Sequence, residues 1–106
     1  MPHKFVIIQT TCVSGKEAKN IISALLKKRL IACASMISGI ESRFWWHGRI
    51  DRAKEFVVIM KAKDRNFNVI EKEITRLHSY EVPEIIAIPI VAISKRYLKW
   101  IEEETH

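Results

Sequence analysis

The sequence predicts an α+β fold in which strands and helices alternate along 106 residues. Short β-branched apolar runs are separated by stretches with apolar residues at every third or fourth position, and these two patterns are typical of strands and helices. A tight turn joins two long strand-like runs in the middle of the chain and indicates a hairpin. No linker or low-complexity stretch interrupts residues 1–106, so we expect a single domain.

The first strand and the first helix are predicted within residues 4–30. The run KFVIIQTTC is apolar and β-branched, which favours a buried strand. Ser14 and Glu17 then have the spacing of a capping box, in which Ser14 accepts from a backbone N–H and Glu17 reaches back. Apolar residues at helical spacing follow this box, so a helix is predicted from about 15 to about 30.

A long hairpin follows the first helix. The run ACASMISGIESRFWW, which begins at Ala32, is strand-like, and Gly39 within it predicts a bulge or bend. Residues 47–49, His-Gly-Arg, predict a tight turn. The run EFVVIMKAK at 55–63 then returns as the second arm of the hairpin.

The second half of the chain predicts a helix, a strand and a terminal helix. Asn66 is expected to cap the second helix, whose apolar residues fall at steps of three and four: Phe67, Ile70, Ile74 and Leu77. The segment HSYEVPE then leads into the strand EIIAIPI at 84–90. Ser94 is expected to cap a short terminal helix that carries Tyr97, Leu98, Trp100 and Ile101. The predicted order is therefore β-α-β-β-α-β-α, a ferredoxin-like (split βαβ) sandwich with an added C-terminal helix.

Two adjacent tryptophans near the hairpin turn predict an oligomer. Neighbouring strand residues point to opposite faces of a sheet, so Trp45 and Trp46 cannot both enter the same core. Large aromatic side chains on an exposed face are typical of protein interfaces. We therefore expect one of these tryptophans to contact another subunit.

The charge of the chain does not indicate a nucleic-acid-binding protein. The formal net charge is +6 and the pI is about 9.6, but the basic residues are dispersed, and the densest cluster is Lys-Lys-Arg at 27–29. Cations near the end of a predicted helix complement its dipole, so this cluster is expected to be solvated surface charge. The RNA-recognition motif shares the predicted element order, but the third strand here has no glycine and carries aliphatic residues at the base-stacking positions. We expect no nucleic-acid partner.

The sequence predicts a cytoplasmic protein with no membrane partner. No apolar run approaches the ~18 residues of a membrane span, and the start MPHKFVIIQT lacks the regions of a signal peptide. Cys12 and Cys33 form no CxxC pair and are expected to be reduced thiols buried in the core.

No catalytic motif is found, and we expect that the protein is not an enzyme. The sequence contains no GxSxG, HExxH or Walker loop. Gly15 stands alone before the first helix, which is too little glycine for a phosphate cradle. No organic cofactor is predicted.

The segment HSYEVPE allows two interpretations. His78, Glu81 and Glu84 offer an imidazole and two carboxylates, a set that suits copper, zinc or cobalt, and Tyr80 could hydrogen-bond behind them. In the structural alternative, His78 caps carbonyls at the end of the second helix. The two glutamates would then pair with basic residues, and Tyr80 would pack at a subunit junction.

Three stretches resemble the CutA family of divalent-cation-tolerance proteins: ACASMISGIESRFWWHGRI, HSYEVPEIIAIPI and YLKW, in this order and spacing. The resemblance covers nearly the whole chain. It implies a ferredoxin-like subunit in a tight homotrimer and a link to divalent metal ions, copper above all. In animals the family is also linked to anchoring of acetylcholinesterase. Similar trimers among the PII-like signal proteins suggest an alternative, a signalling or scaffolding trimer whose clefts bind a small ligand or an unidentified protein partner.

The residues themselves, together with the resemblance, lead to specific expectations for the site. The metal ligands expected for Cu²⁺ or another divalent cation are His78, Glu81 and Glu84. The residues expected at the trimer interface are Trp45, Trp46, Tyr80, Tyr97 and Trp100. The chain departs from the family where CutA proteins usually show His-Pro-Tyr, because Ser79 replaces the proline. Thr10 stands where some bacterial members carry a cysteine, and Cys12 lies two residues further along the same strand face.

Overall fold

The computed structural model describes residues 4–106 and has the α+β class predicted from the sequence. Four strands, three α-helices and a short 3₁₀ turn at Asp64–Asn66 follow one another in the predicted β-α-β-β-α-β-α order. The elements are β1 (Phe5–Cys12), α1 (Gly15–Lys27), β2 (Cys33–Trp46), β3 (Arg49–Lys63), α2 (Phe67–Leu77), β4 (Ile86–Pro89) and α3 (Lys95–Glu104).

The four strands form one antiparallel sheet in the order β2-β3-β1-β4. The central strand β1 pairs with β3 along its whole length, from Phe5 opposite Lys63 to Cys12 opposite Phe56. Its other edge pairs with β4, where Val6 lies opposite Pro89. The sheet therefore ends in β2 on one side and in the short strand β4 on the other.

The hydrophobic core lies between one face of this sheet and the helices α1 and α2. Alternate residues of β1 are buried on this face, as the two-residue period of a strand requires. The fully buried aliphatic side chains of this core include Ile8, Ile21, Leu25, Ile70 and Ile74. Burial of each such side chain stabilises the fold by roughly 1.5–3 kcal/mol.

The hairpin of β2 and β3 extends beyond the rest of the sheet, and the molecule measures 45 × 26 × 24 Å along its principal axes. The predicted irregularity at Gly39 is confirmed, because the β2–β3 register shifts between Ile37 and Ile40 and Gly39 has a φ of 73°. At the tip, His47 and Gly48 both have positive φ. Two-residue hairpin turns of this kind match the twist of their strands.

The first helix is shorter than the sequence predicted. It ends at Lys27, because Arg29 adopts a φ of 55° and the chain leaves the helix in a Schellman motif. In that motif the Leu30 N–H donates to the Leu25 carbonyl at 3.0 Å, and the Arg29 N–H donates to the Leu26 carbonyl at 3.0 Å. The prediction of a helix to about residue 30 was therefore wrong by one turn.

Two other boundaries also differ from prediction. The Asn66 side chain makes no capping hydrogen bond, because the 3₁₀ turn leads directly into α2, and its amide donates instead to the His106 carbonyl at 3.2 Å. The last strand covers Ile86–Pro89 rather than residues 84–90, because its pairing with β1 ends at Gln9. The Ser94 cap is confirmed, since the Ser94 hydroxyl accepts from the Tyr97 N–H at 3.4 Å.

Membrane crossing by a helix is not a feature of the described chain. None of the helices within residues 4–106 combines the length and the apolar character that a bilayer span needs.

Candidate metal centre

A group of three metal-ligating side chains forms where β1 ends. Cys12 is the last residue of β1, Glu17 lies in the first turn of α1, and His78 follows the last residue of α2. One ligand atom from each of these side chains lies within 4.8 Å of the others. The group is called the Cys12–Glu17–His78 centre below.

The thiol of the centre is deeply buried. Cys12 has no exposed surface, and its place at the end of β1 makes it part of the core. Burial, together with the nearby carboxylates of Glu17 and Glu55, raises the pKa of Cys12 to about 12. Cys12 is therefore a protonated thiol when no cation is present. A bound metal ion would reverse this, because metal coordination deprotonates a thiol.

The carboxylate of the centre is held in place by backbone donors. The Ser14 hydroxyl accepts from the Glu17 N–H at 3.2 Å, as the capping box predicts. The Glu17 carboxylate reaches back to the Val13 N–H at 3.3 Å, and it also accepts from the Ser79 N–H at 2.6 Å. Burial raises the pKa of Glu17, but the hydrogen bonds from Ser79 and Val13 outweigh burial, so this pKa lies below its usual value. The carboxylate is ionised at neutral pH.

The imidazole of the centre has both nitrogens in hydrogen bonds. His78 Nε2 lies 2.7 Å from the Thr11 carbonyl oxygen, and His78 Nδ1 accepts from the Tyr80 N–H at 3.1 Å. A carbonyl can only accept, so Nε2 carries the proton. Nδ1 lies 3.9 Å from Glu17 Oε1, and the ring has no exposed surface. The side chain thus binds the end of β1 and does not cap the carbonyls of α2.

The chemistry of these donors fits a transition-metal ion. A thiol sulfur, an imidazole nitrogen and a carboxylate oxygen suit copper, zinc or cobalt, whereas calcium and magnesium prefer oxygen ligands alone. The Nε2–H bond to a backbone carbonyl is the arrangement that orients a metal-ligating histidine for binding through its other nitrogen. On the same face of β1, the Thr10 hydroxyl is fully buried and has no hydrogen-bond partner among the described residues. This face of β1 therefore offers an unused hydrogen-bonding hydroxyl two residues before Cys12.

The structure separates the ligands predicted from the sequence. The centre contains His78, but it contains neither Glu81 nor Glu84. The Glu84 carboxylate accepts from Gln9 Nε2 at 2.9 Å, on the exposed side of the sheet. Glu81 is exposed. Both glutamates line a neighbouring cleft instead.

This cleft lies between the hairpin and residues 80–84 and has a volume of about 810 Å³. Its lining includes aromatic, basic and acidic side chains, among them Phe44, Trp45, Trp46, Arg52, Asp51 and Glu84. The Tyr80 hydroxyl donates to Glu55 Oε2 at 2.7 Å, and Glu55 is almost fully buried. Burial and the Glu55 carboxylate raise the pKa of Tyr80 well above its ordinary value. Tyr80 and Glu55 both line the cleft, so their hydrogen bond forms part of one wall.

The predicted interface residues lie at two separate places on the chain. Trp45, with 72% of its surface exposed, and Trp46, with 37% exposed, line the cleft together with Tyr80. Tyr97 and Trp100 stack on α3 with their ring centroids 5.5 Å apart, and both remain more than one-third exposed. Neither tryptophan of the hairpin enters the hydrophobic core.

The family follows from comparison with known proteins. Residues 6–104 match the sequence model of a family described as CutA1 divalent ion tolerance protein. The chain belongs to the CutA1 family. A divalent-cation tolerance protein CutA from Archaeoglobus fulgidus is 42% identical over 101 residues, which are 95% of this chain and 96% of that protein. The corresponding protein from Pyrococcus horikoshii is 37% identical over 100 residues, covering 94% and 97%.

Solved CutA structures have the same fold as this CutA1-family chain. The structure described as the periplasmic divalent cation tolerance protein CutA from Archaeoglobus fulgidus gives a TM-score of 0.93 at 39% identity, over 96% of this chain and 99% of that chain. The divalent cation tolerance protein from Thermus thermophilus gives the same TM-score of 0.93 at 31% identity, with the same coverage of both chains. These likenesses extend over almost the whole chain.

Two members of the centre in this CutA1-family chain were assigned other roles by the sequence alone. Cys12 was assigned to the core and Glu17 to the helix cap, and the structure gives each residue that role in addition to its place in the centre. The sequence signal that could have found them is a cysteine at the end of a strand followed by an acidic residue in the next helical turn. Because both residues are far from His78 along the chain, the sequence did not show that they converge with it.

Proposed function

We propose that this chain acts in divalent-cation tolerance as a homotrimer of ferredoxin-like subunits that bind metal ions, copper in the first place. The observation that supports the proposal most strongly is the convergence of Cys12, Glu17 and His78 within 4.8 Å. Membership of the CutA1 family supports the link to divalent ions.

The donor set favours copper and zinc, because thiolate and imidazole ligands bind these ions well. Binding is expected to be weak. The Cys12 proton, on a thiol whose pKa is about 12, must leave, and a hydrogen bond to His78 must break. A protein of this kind would respond to an excess of metal rather than hold a permanent ion. Glu81 and Glu84 contribute negative charge at the cleft, which favours the approach of cations.

The trimer is supported by apolar surface that a single subunit leaves exposed. Trp45 is exposed at the hairpin, and Tyr97 and Trp100 are partly exposed on α3. The outer strand β4 leaves one edge of the sheet unpaired within the subunit, and Ile86 and Ile88 on it are 43% and 40% exposed. Exposed apolar edges of this kind favour pairing with another chain. We propose Trp45, Trp46, Tyr80, Tyr97 and Trp100 as interface residues.

We further propose that the trimer is a cytoplasmic, non-enzymatic protein. It uses no organic cofactor and has neither nucleic acid nor membrane as a partner.

The cleft of about 810 Å³ favours a second candidate function. In that alternative, the trimer is a PII-like signalling or scaffolding protein whose clefts bind a small ligand or a partner protein.

Calorimetric titration of the metal-free protein with Cu²⁺, Zn²⁺ and Co²⁺ tests the metal proposal. Cys12→Ala and His78→Ala remove ligands of the centre, Glu84→Ala removes a ligand predicted only from the sequence, and His47→Ala removes an exposed histidine of the hairpin turn. We expect about one ion per subunit, with binding lost in the first two variants and retained in the last two. Loss in Glu84→Ala alone would place the ion in the cleft. If Cys12→Ala and His78→Ala bind the metal ions with the affinity of the wild type, a metal function for the centre is refuted.

A further inference from the structure

Backbone N–H groups of two consecutive residues donate hydrogen bonds to ligand atoms of the Cys12–Glu17–His78 centre. The Ser79 N–H lies 2.6 Å from Glu17 Oε1, and the Tyr80 N–H lies 3.1 Å from His78 Nδ1. The Tyr80 N–H occupies the nitrogen lone pair that a cation would need, and the Ser79 N–H occupies one of several lone pairs of the carboxylate. The segment after α2 therefore competes with a metal ion for the centre.

The two ligand atoms differ in how they can accommodate a metal ion. An imidazole nitrogen has one lone pair, and His78 Nε2 already carries the proton that faces the Thr11 carbonyl. A metal ion on Nδ1 must therefore displace the Tyr80 N–H. A carboxylate oxygen has further lone pairs, so Glu17 can ligate a metal and keep the Ser79 bond.

Tyr80 is attached at three points, so the loss of its N–H bond affects the rest of the side chain. Its hydroxyl donates to Glu55 Oε2 at 2.7 Å in the wall of the cleft. Its ring packs against the His78 ring, with the centroids 4.9 Å apart and the planes tilted by 43°. Displacement of the backbone at Tyr80 shifts the ring and strains the bond to Glu55.

We propose that metal binding at the centre releases Tyr80, opens the Tyr80–Glu55 wall of the cleft, and so couples the metal site to the surface beside the hairpin. This inference rests on the proposed function, because it requires metal binding at Cys12, Glu17 and His78. Tyr80 acts as a positioning residue here, since it holds the closed state and does not ligate the ion.

Coupling between two sites is reciprocal, which makes the proposal measurable. The Tyr80–Glu55 bond stabilises the closed state alone. Its removal therefore lowers the cost of opening and increases the apparent affinity for metal. The net strength of one hydrogen bond to a charged acceptor corresponds to roughly tenfold to hundredfold tighter binding.

Titration with Zn²⁺ alone tests this coupling in the wild type, Tyr80→Phe, Glu55→Gln and Tyr97→Phe. Tyr97→Phe is the matched control, because it removes a tyrosine hydroxyl on α3 whose partner is Cys33 of β2, at 3.4 Å, and neither residue belongs to the centre. We expect Tyr80→Phe to bind Zn²⁺ roughly tenfold to hundredfold more tightly. Glu55→Gln should gain less, because its amide oxygen still accepts from the Tyr80 hydroxyl but carries no charge. The double variant should gain no more than Tyr80→Phe. Tyr97→Phe should bind like the wild type.

Hydrogen exchange at the Tyr80 amide supplies the second readout. Saturation with Zn²⁺ should accelerate exchange at Tyr80 and leave exchange in the core of α1 unchanged. Circular dichroism of each variant checks that it folds, and Glu55→Gln tests the same bond if Tyr80→Phe does not fold.

The outcomes separate this inference from the proposed function. Zn²⁺ binding that depends on Cys12, with an amide of Tyr80 that stays protected and no gain in Tyr80→Phe, would overturn the coupling and leave the metal centre intact. Absence of any Cys12-dependent binding would overturn both. Tighter binding in Tyr97→Phe as well as in Tyr80→Phe would show a nonspecific effect and would also overturn the coupling.

Discussion

At the scale of single residues, the buried carboxylate of Glu73 carries the clearest electrostatic effect. Arg76 Nη2 donates to it at 2.8 Å, and Lys28 Nζ donates to it at 2.9 Å, which joins α2 to the end of α1. These hydrogen bonds, with that of Arg76 the stronger cause, lower the pKa of Glu73 from 4.5 to about 2. The ionised form of Glu73 is therefore favoured by folding.

The pH dependence of stability follows from the sign of this shift. A carboxyl whose pKa is lower in the folded protein adds stability above its unfolded pKa of 4.5, and this stability is lost as the pH falls towards 2. We expect Glu73→Gln to be less stable than the wild type at pH 7, and the difference to shrink from about pH 4.5 downward. Urea denaturation over a pH series measures this difference in the free energy of unfolding.

Glu71→Gln is the matched control for this prediction, because Glu71 lies on the same helix and is exposed. Its free energy of unfolding should follow that of the wild type over the whole pH series. A constant difference between Glu73→Gln and the wild type at every pH would contradict the ionic origin of the effect.

Cys12 shows why a single residue can have two roles. Its side chain is fully buried and packs in the core, as expected for a small apolar residue. The same burial places its sulfur beside Glu17 and His78. The predicted core role and the proposed metal-binding role therefore arise from one position at the end of a strand.

At the scale of elements, the hairpin depends on the backbone conformation at Gly39. Its φ of 73° lies in the left-handed region, and a Cβ added there would meet no atom within 4 Å. The cost of a side chain at this position is therefore conformational and not steric. We expect Gly39→Ala to lower the free energy of unfolding by about 1 kcal/mol, measured by urea denaturation.

Gly15→Ala is the control for this prediction. Gly15 begins α1, and a Cβ there would lie 3.4 Å from the Phe56 ring, which is ordinary contact. Alanine has a higher helix propensity than glycine, so Gly15→Ala should leave the free energy of unfolding unchanged or raise it slightly. An equal loss of stability in both variants would refute the role of φ at Gly39.

The C-terminal helix is attached to the sheet through its last turn. The Lys63 ammonium group donates to the Thr105 carbonyl at 3.0 Å, and the Arg29 guanidinium donates to the Glu104 carboxylate at 3.0 Å. Cations at the C-terminal end of a helix complement its dipole. The predicted helix is thus held by residues that come from β3 and from the turn after α1.

At the scale of the whole molecule, the exposed aromatic residues of the elongated subunit favour assembly. We expect sedimentation equilibrium to give three times the subunit mass of 12.4 kDa. Trp45→Asp should dissociate the trimer or weaken it by at least about tenfold, because an interfacial tryptophan can contribute about 2 kcal/mol or more.

Val69→Asp is the matched control for assembly, because Val69 is also an exposed apolar residue but lies on α2, away from the hairpin. This variant should keep the mass of the wild type. A monomeric wild type would refute the trimer, and unchanged assembly in Trp45→Asp would exclude Trp45 from the interface.

The sequence by itself determined the fold class, the order of the elements and the family. These properties depend on local patterns: β-branched runs predict the strands, apolar residues at three- and four-residue steps predict the helices, and Ser14 and Ser94 mark two helix starts. Each pattern reflects contacts between residues close in sequence, so it is visible without the tertiary structure.

Only the tertiary structure decided which residues form the candidate metal centre. His78 meets Cys12 and Glu17 because the end of α2 lies beside the end of β1, and that contact joins residues more than 60 positions apart. Glu84 was predicted to bind the same ion as His78, but it lies just before the edge strand β4 and accepts a hydrogen bond from Gln9. His78 and Glu84 are close in sequence but lie apart in the fold, whereas Cys12 and Glu17 are far from His78 in sequence but lie beside it. The packing of the helices on the sheet sets these long-range distances, and local sequence patterns do not show it.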